Sequence, residues 1–522
     1  MNEKMKTHGG EALARAVEAA YAQGQTDYHL EPLALVDADG APIGKIQSGD
    51  KVIFCCRRGE REIELTEAFT DPDFKHFERP EIKDLTFAIM TMYHEKFKDL
   101  PIAFAPEKVV KPLAQVLSDA GLRQFHCAES EKFAHVTFFF NGGYNQPFPG
   151  EDDTCIPSPK GIAFDQQPEL SLPKVAETVC SAVDAEYDFI VTNFANGDVI
   201  GHTLNSEAKL KASETVSHYV SQVAQYAKQN GYVVAITADH GNIEKLYTKE
   251  GKPDGAHTTN LVPFILLDPA GREVALRDGV LGDVAPTVLS VLGLEQPAEM
   301  TGTSLITEGS VSNKKMMLII LDGWGFGTAD NGDAIWLAST PVWDGLLMRY
   351  PNCKLRASGD AVGLQAGKPG NSEAGHTNLG AGRVVPQDDV RMDGAIRDGS
   401  FRQNPVFLRM IEEAKQSGAL HLLAYLTEKS SHGSIEYPLM LTEMAEGVDE
   451  IYLHIIFDGR STEPGSAPAM LRALDERLKA LGRGQIVDGV GRGIALDRDG
   501  NYAKVQKAYE AMVLGRGTQY CE

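Results

Sequence analysis

The chain has 522 residues, so we expect two or three domains rather than one. It contains 73 acidic and 50 basic residues, which gives a formal net charge of −23, and 43% of its residues are hydrophobic. This composition is typical of a globular protein. It disfavours nucleic acid or an anionic membrane as the main partner, because both require a positive surface.

Apolar strand-like runs alternate with helix-like segments along most of the chain, beginning with a helical pattern in HGGEALARAVEAA. Such alternation favours an α/β fold with a largely parallel sheet. We predict helices over 109–122, 172–186, 211–230, 283–293, 466–481 and 501–514, and strands over 135–141, 187–194, 232–238, 262–267, 316–321 and 450–457.

Three features of the chain favour a cytoplasmic protein. The longest clean apolar run, 316–321, is too short to span a bilayer. The amino-terminal sequence MNEKMKTHGG lacks the apolar core of a signal peptide. The seven cysteines form no C-x-x-C pair, so we expect free thiols in a reducing compartment.

Residues 307–315, TEGSVSNKK, are polar and small and show no periodicity. They separate a helix and its short tail from the strongly apolar strand 316–321. We consider two interpretations, an ordinary surface loop or a junction between the end of one natural chain and the start of another. The chain also ends just after a helix and begins again with one, which favours the junction.

Several predicted strands end abruptly in aspartate or histidine. Parallel α/β sheets place their functional sites at the carboxyl ends of strands. A lone aspartate after a strand is usually a helix cap, but six such side chains in one α/β block favour a site for two transition-metal ions. Mixed carboxylate and imidazole ligands favour Mn or Zn over Mg. The six candidates are Asp198, His202, Asp239, His240, His257 and Asp322.

The segment GKPGNSEAGHTNLGAG predicts a tight turn followed by a helix that begins near Ser372. Backbone N–H groups at a helix start favour a phosphoryl group on that serine. A metal on the hydroxyl oxygen would lower its pKa and make it a nucleophile. The alternative is a simple helix cap, with Ser372 as the N-cap and Glu373 in the first turn.

An acidic protein needs local basic residues to bind an anionic substrate. Arginine side chains match phosphate and carboxylate groups with two parallel hydrogen bonds. Each arginine taken alone is more often a solvated surface charge. The candidates are Arg57, Arg58, Arg61, Lys132, Arg460, Arg492 and Arg498.

Taken together, these motifs resemble the cofactor-independent (2,3-bisphosphoglycerate-independent) phosphoglycerate mutases of the alkaline phosphatase superfamily. The resemblance covers nearly the whole chain, but in rotated order. The family's opening motifs LDGWG, GNSEAGH and GAGR begin here only at residue 321, and HVTFFFNGG, NFANGD-x-x-GH, TADHGN and AHTTN precede them. The resemblance therefore implies a circular permutation with its junction at 307–315.

The resemblance implies an α/β, alkaline-phosphatase-like catalytic domain at 107–385 and a discontinuous α/β cap domain at 386–522 and 1–106. It implies Mn-dependent interconversion of 3- and 2-phosphoglycerate through phosphorylated Ser372, with Lys132 stabilising the transferring group and no need for 2,3-bisphosphoglycerate. One Mn²⁺, or another divalent metal, would bind Asp198, His202 and His257. The other would bind Asp322, Asp239, His240 and Ser372. The implied substrate-binding residues are His432, Arg460, Arg492, Arg498, Arg58 and Arg61. A monomer is implied.

The departures from the family pattern fall in the cap motifs. The family's SDGGVHSH reads TEKSSHGS here, which keeps His432 but places Glu428 at the aspartate position. DGRD has become DGRS, so Ser461 replaces a carboxylate, and FNFR-x-DR reads FCCRRGER. A hydroxyl group cannot act as a base at neutral pH as a carboxylate can. There are therefore two alternatives. One is a metal-dependent phosphatase or another phosphomutase, and the other is a protein that only binds metal and phosphoglycerate.

Overall fold

The computed structural model describes residues 8–57, 60–416, 418–428, 430 and 432–522. The strands are β1 Leu33–Leu35, β2 Lys51–Phe54, β3 Thr86–Thr91, β4 Ile102–Phe104, β5 Gln124–Glu129, β6 Glu151–Ile156, β7 Phe189–Phe194, β8 Val233–Thr237, β9 Val262–Leu267, β10 Ala275–Leu276, β11 Gly279–Val280, β12 Ile306–Glu308, β13 Met316–Leu321, β14 Asn352–Arg356, β15 Leu420–Leu426, β16 Ile451–Phe457, β17 Gln485–Gly491 and β18 Thr518–Tyr520.

The α-helices alternate with these strands, as the sequence predicted. They are α1 Gly10–Ala22, α2 Ile63–Thr70, α3 Leu113–Asp119, α4 Leu172–Asp184, α5 Asn196–Gly201, α6 Ser206–Gln229, α7 Val284–Leu292, α8 Ala334–Leu337, α9 Pro341–Arg349, α10 Ser372–Ala381, α11 Asp388–Asp398, α12 Pro405–Gln416, α13 Glu436–Met444, α14 Ala467–Leu481, α15 Arg492–Ala495 and α16 Tyr502–Leu514.

The chain divides into two compact units. A central unit comprises residues 107–390, and a terminal unit combines the segment up to residue 106 with residues 391–522. Each unit contains an eight-stranded sheet in which most neighbouring strands are parallel. The predicted α/β fold class is therefore confirmed.

The sheet of the central unit has the order β11-β14-β9-β8-β13-β7-β5-β6. All six residues of β13 are buried, because it lies between two parallel neighbours in the middle of the sheet. Leu321 pairs with Phe194 of β7, and Ile320 pairs with Thr237 of β8. The carboxyl ends of these three strands therefore lie at nearly the same level.

The sheet of the terminal unit has the order β18-β1-β17-β16-β15-β2-β3-β4. Strands β17, β16, β15 and β2 run parallel to one another, whereas β1 pairs antiparallel with β17. The carboxyl ends of these four parallel strands define the edge at which this unit's polar residues gather.

One predicted strand is wrong. Residues His135–Phe139, inside the predicted strand 135–141, form a π-helical turn. This aromatic run packs against α10, where a side chain at Gly380 would collide with the carbonyl oxygen of Phe140. Strand β5, with the polar sequence QFHCAE, pairs directly with β7 instead. The predicted helix 109–122 is also shorter and begins after Pro112.

The polar segment 309–315 connects β12, which pairs with β10, to the central strand β13. All seven cysteines are free thiols, as expected. Within the described ranges, no helix is both long and apolar enough to cross a bilayer.

Candidate metal centre

The carboxyl edge of the central sheet brings three buried acidic side chains together. Asp322 follows β13, Asp239 follows β8, and Asp198 lies in the short helix α5 after β7. One ligand atom from each of Asp322, Asp239 and His240 lies within 4.8 Å of the others. This group can hold one metal ion, because its carboxylate and imidazole donors converge.

A second group of ligand atoms shares His240 and adds Asp198 and His257. A bridge between Gly241 and Thr258 brings the loop with His257 beside His240, and the two imidazole rings stack with their centres 4.0 Å apart. His202 Nε2 lies 3.2 Å from Asp198 Oδ1 and 3.0 Å from His257 Nε2. The structure therefore brings all six predicted strand-end side chains to one edge.

Ser372 is the first residue of α10, and its Oγ points into the same cluster. The Oγ lies 2.7 Å from Lys132 Nζ, 3.0 Å from His240 Nε2 and 3.1 Å from Asp322 Oδ1. The N-cap is Asn371, whose side chain accepts a hydrogen bond from Ala374 N. The alternative in which Ser372 itself caps the helix is therefore wrong.

Lys132 is buried and lies just after β5. Its ammonium group donates to Asp198 Oδ2 at 2.6 Å and to Asp322 Oδ1 at 2.9 Å, in addition to Ser372. A single positive charge therefore bridges the two carboxylates and the serine hydroxyl. It lies where negative charge on an atom bonded to Ser372 Oγ would be stabilised.

The electrostatics of the edge are governed by these opposite charges. Burial opposes ionisation of Lys132, but Asp322 and Asp198 outweigh burial and raise its pKa. Burial alone would raise the pKa of Asp322. The positive charge of Lys132 outweighs this effect and holds the pKa of Asp322 well below its ordinary range. Burial disfavours a charged His240, yet the carboxylates, led by Asp239, raise its pKa to about 9. The carboxylates thus stay ionised and ready to bind cations.

Two motif glycines allow the backbone to approach the acidic residues closely. A Cβ atom at Gly375 would lie 2.7 Å from both the Cβ and the carbonyl oxygen of Asp239. A Cβ atom at Gly197 would lie 2.3 Å from the carbonyl oxygen of Asp322. Helices α10 and α5 can therefore pack directly against the strand ends only because these positions lack side chains.

Supporting residues around the edge were missed by the sequence analysis. The Nδ1–H of His376 faces the carbonyl oxygen of Ser372 at 2.9 Å and Asp239 Oδ2 at 3.2 Å. Asn193 Nδ2 donates to Asp322 Oδ2 at 2.7 Å and lies 3.0 Å from His376 Nε2. The sequence did contain one indication of His376, because residues at i and i+4 on a helix lie on the same face and His376 is four residues after Ser372.

A third cluster with ligand-type side chains, His126, Glu151 and Asp153, lies elsewhere in the central unit. Both ring nitrogens of His126 face acceptors, Val136 O at 2.8 Å and Gln124 Oε1 at 3.2 Å. The amide orientation of Gln124 is set by its donation to Ala114 O. Both ring nitrogens therefore already contact protein groups, and we assign no metal site there.

The predicted substrate-binding residues belong to the terminal unit. Arg492 is buried after β17 and donates to Asp458 Oδ1 at 2.6 Å. Arg61 is buried and donates to Leu496 O at 3.0 Å. His432 follows β15, whereas Arg460 and Arg498 are exposed. Arg58 lies outside the described residues.

Other polar residues lie at the strand ends of the terminal unit and were not predicted from the sequence. Asp458 follows β16 and accepts a hydrogen bond from Tyr425 Oη at 2.8 Å. Arg57, by contrast, is one of the predicted basic candidates; it donates to Asp393, Tyr437 and Ser430 O, so it joins segments of the fold. Glu62 is completely buried beside His432. Only their location at the strand ends could have pointed to Asp458 and Glu62.

Comparison with known families agrees with this metal-ligand chemistry. The family model described as the Metalloenzyme superfamily matches residues 30–296, about half of the chain, and the chain belongs to that superfamily. A second model, described as the BPG-independent PGAM N-terminus, matches residues 392–522. Superfamily membership and the converging ligand groups both support binding of a divalent metal.

Individual relatives are named more specifically. The chain is 46% identical over 303 residues to the 2,3-bisphosphoglycerate-independent phosphoglycerate mutase of Moorella thermoacetica, covering 58% of each chain. It is 48% identical over 305 residues to the enzyme of the same name from Thermomicrobium roseum, covering 57% of this chain and 58% of that one. The chain thus spans 58% of the length of these two relatives. The resemblance to this family is confirmed.

Among solved structures, the chain is similar to a phosphoglycerate mutase of Leishmania mexicana, determined at low cobalt concentration. The identity is 29%, the TM-score is 0.40, and the match covers 52% of this chain and 53% of that one.

Proposed function

We propose that the chain is a phosphoglycerate mutase that interconverts 3- and 2-phosphoglycerate through a phosphorylated Ser372. The observation that supports this most directly is the environment of the Ser372 hydroxyl. Its Oγ lies within 3.1 Å of Lys132, His240 and Asp322 at the start of a helix. A nucleophile beside an ammonium group and a helix amino terminus is suited to accept a phosphoryl group.

The donor set of the central edge fits two divalent metal ions, and we propose Mn²⁺. Asp239 Oδ2 is buried without a hydrogen bond to any described residue, so it has a lone pair available for a cation. One ion would be held by Asp198, His202 and His257. The other would be held by Asp239, His240, Asp322 and Ser372. Bound there, the metals would lower the pKa of the serine hydroxyl and neutralise phosphate charge.

The chain's own residues would perform the remaining work of phosphoryl transfer. Lys132 would neutralise charge that develops on the transferring group, because its ammonium already contacts Ser372 Oγ at 2.7 Å. His376 would hold the first turn of α10 in place by donating its Nδ1–H to the carbonyl oxygen of Ser372. These contacts keep the nucleophile oriented without movement during the reaction.

In the terminal unit, buried basic groups would bind the glycerate part of the substrate. Nε and Nη2 of Arg492 are buried and have no hydrogen-bond partner among the described residues, so they can donate to a carboxylate. We propose that His432, Arg58, Arg61, Arg460 and Arg498 contribute to the same binding. A cytoplasmic monomer remains our prediction.

The rotated motif order is also part of the proposal. The family model described as an N-terminus matches residues 392–522, after the superfamily match at 30–296. His8 O accepts a hydrogen bond from Ile486 N at 2.9 Å, and Glu522 contacts the adjacent Gln485. Met1 lies outside the described residues.

The permutation can be tested by reversing it. A chain in which a short linker joins Glu522 to His8, and in which new termini are opened within 309–315, should fold and retain activity. Failure of this chain to fold would contradict the permutation.

The decisive experiment is an enolase-coupled assay on 3-phosphoglycerate, with Mn²⁺ or with EDTA and without added bisphosphoglycerate. We expect activity that requires the metal and is abolished in Ser372→Ala. The control is Ser358→Ala, since Ser358 lies in a loop after β14 and its hydroxyl donates to Thr259 O at 3.4 Å, away from the Ser372 hydroxyl. Release of inorganic phosphate in place of isomerisation would instead support a phosphatase, the alternative that the serine at position 461 favours.

A further inference from the structure

Glu62 is a fully buried ionisable group of the terminal unit. Its side chain is 0% exposed, at the end of a short turn before α2. Its Oε1 lies 3.4 Å from His432 Nδ1, and neither carboxylate oxygen makes a regular hydrogen bond with any residue that the structure describes. Burial raises the pKa of Glu62, although His432 and Arg492 oppose the shift. Burying a carboxylate costs free energy unless the group is paired and hydrogen-bonded.

His432 is the accessible partner of this pair, with a side chain that is 20% exposed. Its backbone is fixed from both sides, because Arg57 N donates to His432 O at 2.8 Å and His432 N donates to Ser430 Oγ at 3.0 Å. With the backbone fixed and Nδ1 facing Glu62, the other ring nitrogen is directed away from the carboxylate. A buried carboxylate behind an imidazole determines which nitrogen carries the proton.

The surroundings of Glu62 come from several elements of the same unit. Cys56 follows β2, Tyr93 follows β3, and Arg492 begins α15, and all three interact electrostatically with Glu62. Cys56 and Tyr93 are buried and have raised pKa values, for which burial is the largest cause, so neither supplies a countercharge. His432 and Arg492 are therefore the groups on which the carboxylate of Glu62 acts.

We propose that Glu62 is a positioning residue that holds His432 by Nδ1–H, so that Nε2 exchanges protons with the hydroxyl groups of the glycerate substrate. This inference rests on the proposed mutase function. It assigns to the Glu62–His432 pair the proton transfer that a carboxylate at position 461 would otherwise perform. Ser461 is exposed and offers only a hydroxyl group.

The proton balance of the proposed step is complete. Protonated His432 donates its Nε2 proton to the 3-oxygen as the bond from that oxygen to phosphorus breaks and ionised Ser372 Oγ bonds to phosphorus. Neutral Nε2 then accepts the proton of the 2-hydroxyl as that oxygen bonds to phosphorus and the bond to Ser372 Oγ breaks. His432 and Ser372 both return to their starting states, so no other acid or base is consumed.

The test compares Glu62→Gln with Glu64→Gln in the Mn²⁺-loaded full chain. Glu64 is also buried, two residues further along, but it accepts a hydrogen bond from Gly500 N at 2.9 Å and does not contact His432. In the enolase-coupled assay we expect Glu62→Gln to lower kcat by about 10- to 100-fold with KM changed less than about threefold. Glu64→Gln should remain near the parent. Equal effects of the two variants, or an unchanged kcat in Glu62→Gln, would overturn the inference while leaving the mutase function intact.

A second measurement requires neither activity nor the folding of Glu62→Gln. ¹⁵N-histidine NMR of the parent, with the His432 signal assigned from His432→Asn, should show a proton on Nδ1 when the ring is neutral. A neutral ring with its proton on Nε2 would overturn the inference. Absence of mutase activity in the parent would refute the proposed function instead, and the NMR result would still decide whether Glu62 positions His432.

Discussion

Lys132 Nζ lies 2.7 Å from Ser372 Oγ although 240 residues separate the two in the sequence. The lysine comes from the turn after β5, and the serine comes from the first turn of α10. The same ammonium contacts Asp198 and Asp322, so it links the nucleophile to both groups of metal-ligand atoms. Removal of the Lys132 ammonium group should therefore affect both the phosphoryl transfer at Ser372 and the charge balance of the buried carboxylates.

We expect Lys132→Met to lower kcat for phosphoglycerate isomerisation by about 10²- to 10³-fold. The substitution keeps most of the side-chain volume but removes the charge that stabilises the transferring group. The matched control is Lys111→Met, because Lys111 is a surface lysine of the same unit that pairs with Asp119 at 2.6 Å. Steady-state kinetics with saturating metal measure both variants, and a parental kcat in Lys132→Met would contradict the assigned role.

Removal of His257 should affect only one of the two proposed metal ions. His257 contacts Asp198 at 3.0 Å, whereas Asp239 and Asp322 belong to the other ligand group. We expect the metal content of His257→Ala to fall from about two ions per chain to about one. Elemental analysis after dialysis measures the content, and the exposed His218→Ala is the control. An unchanged content would show that His257 is not a ligand.

Treatment with EDTA should lower the melting temperature of the parent, because ions that bind only the folded state stabilise it by mass action. The shift should be smaller in His257→Ala, which has fewer ions to lose. Calorimetry with and without EDTA measures the difference. Identical melting temperatures under both conditions would argue against any metal in the folded protein.

The central edge was predictable because its signal is local in the sequence. Strand β13 is a continuous apolar run and β8 is apolar except for its last residue, Thr237, as expected for strands covered on both faces. Asp322 follows β13 directly, and Asp239 follows β8 after one alanine. Parallel pairing then places Asp322 and Asp239 at one edge. Little tertiary information was needed to find them.

The missed features depend on packing between distant segments. The aromatic run His135–Phe139 matches a buried strand as well as a helical turn, and its contact with α10 decides between them. Glu62 lies in the charged sequence RRGERE, where every residue looks solvent-exposed. Glu62 is buried by the surrounding strand ends, and the hydrophobic periodicity of the sequence does not predict this burial.

The stability of the terminal unit should fall as the pH is lowered from about 7 to about 5. A buried chain of hydrogen bonds crosses its sheet, in which His421 contacts Asp50 at 3.0 Å and His454 at 2.9 Å, and His454 contacts Asp488 at 2.6 Å. Burial lowers the pKa of His421 to about 4, despite the opposing effect of Asp50. Between about pH 6.5, the ordinary histidine pKa, and about pH 4, His421 is therefore protonated in the unfolded chain but neutral in the folded protein.

The stabilisation from neutral His421 is thus complete above the ordinary histidine pKa and decreases toward pH 4, by at most about 1.4 kcal/mol per pH unit. His421→Gln should be less stable than the parent near neutral pH but should lose less stability on acidification. Calorimetry across this range compares the two, with exposed His218→Gln as the control. Parallel pH profiles for the parent and His421→Gln would contradict the prediction.

Gly375→Ala should destabilise the central unit and weaken metal binding together. The added methyl group would lie 2.7 Å from the Cβ and carbonyl oxygen of Asp239, and neither atom belongs to a flexible chain end. We expect a loss of about 1–3 kcal/mol in the free energy of unfolding, because α10 or Asp239 must shift. Gly394→Ala is the control, since Gly394 lies inside α11 with no atom within 4 Å of an added Cβ, and it should gain about 0.5–1 kcal/mol. Denaturant unfolding and metal content measured on both variants separate the effects: a destabilised Gly375→Ala that keeps its full metal content would mean that α10 moves while Asp239 stays in place.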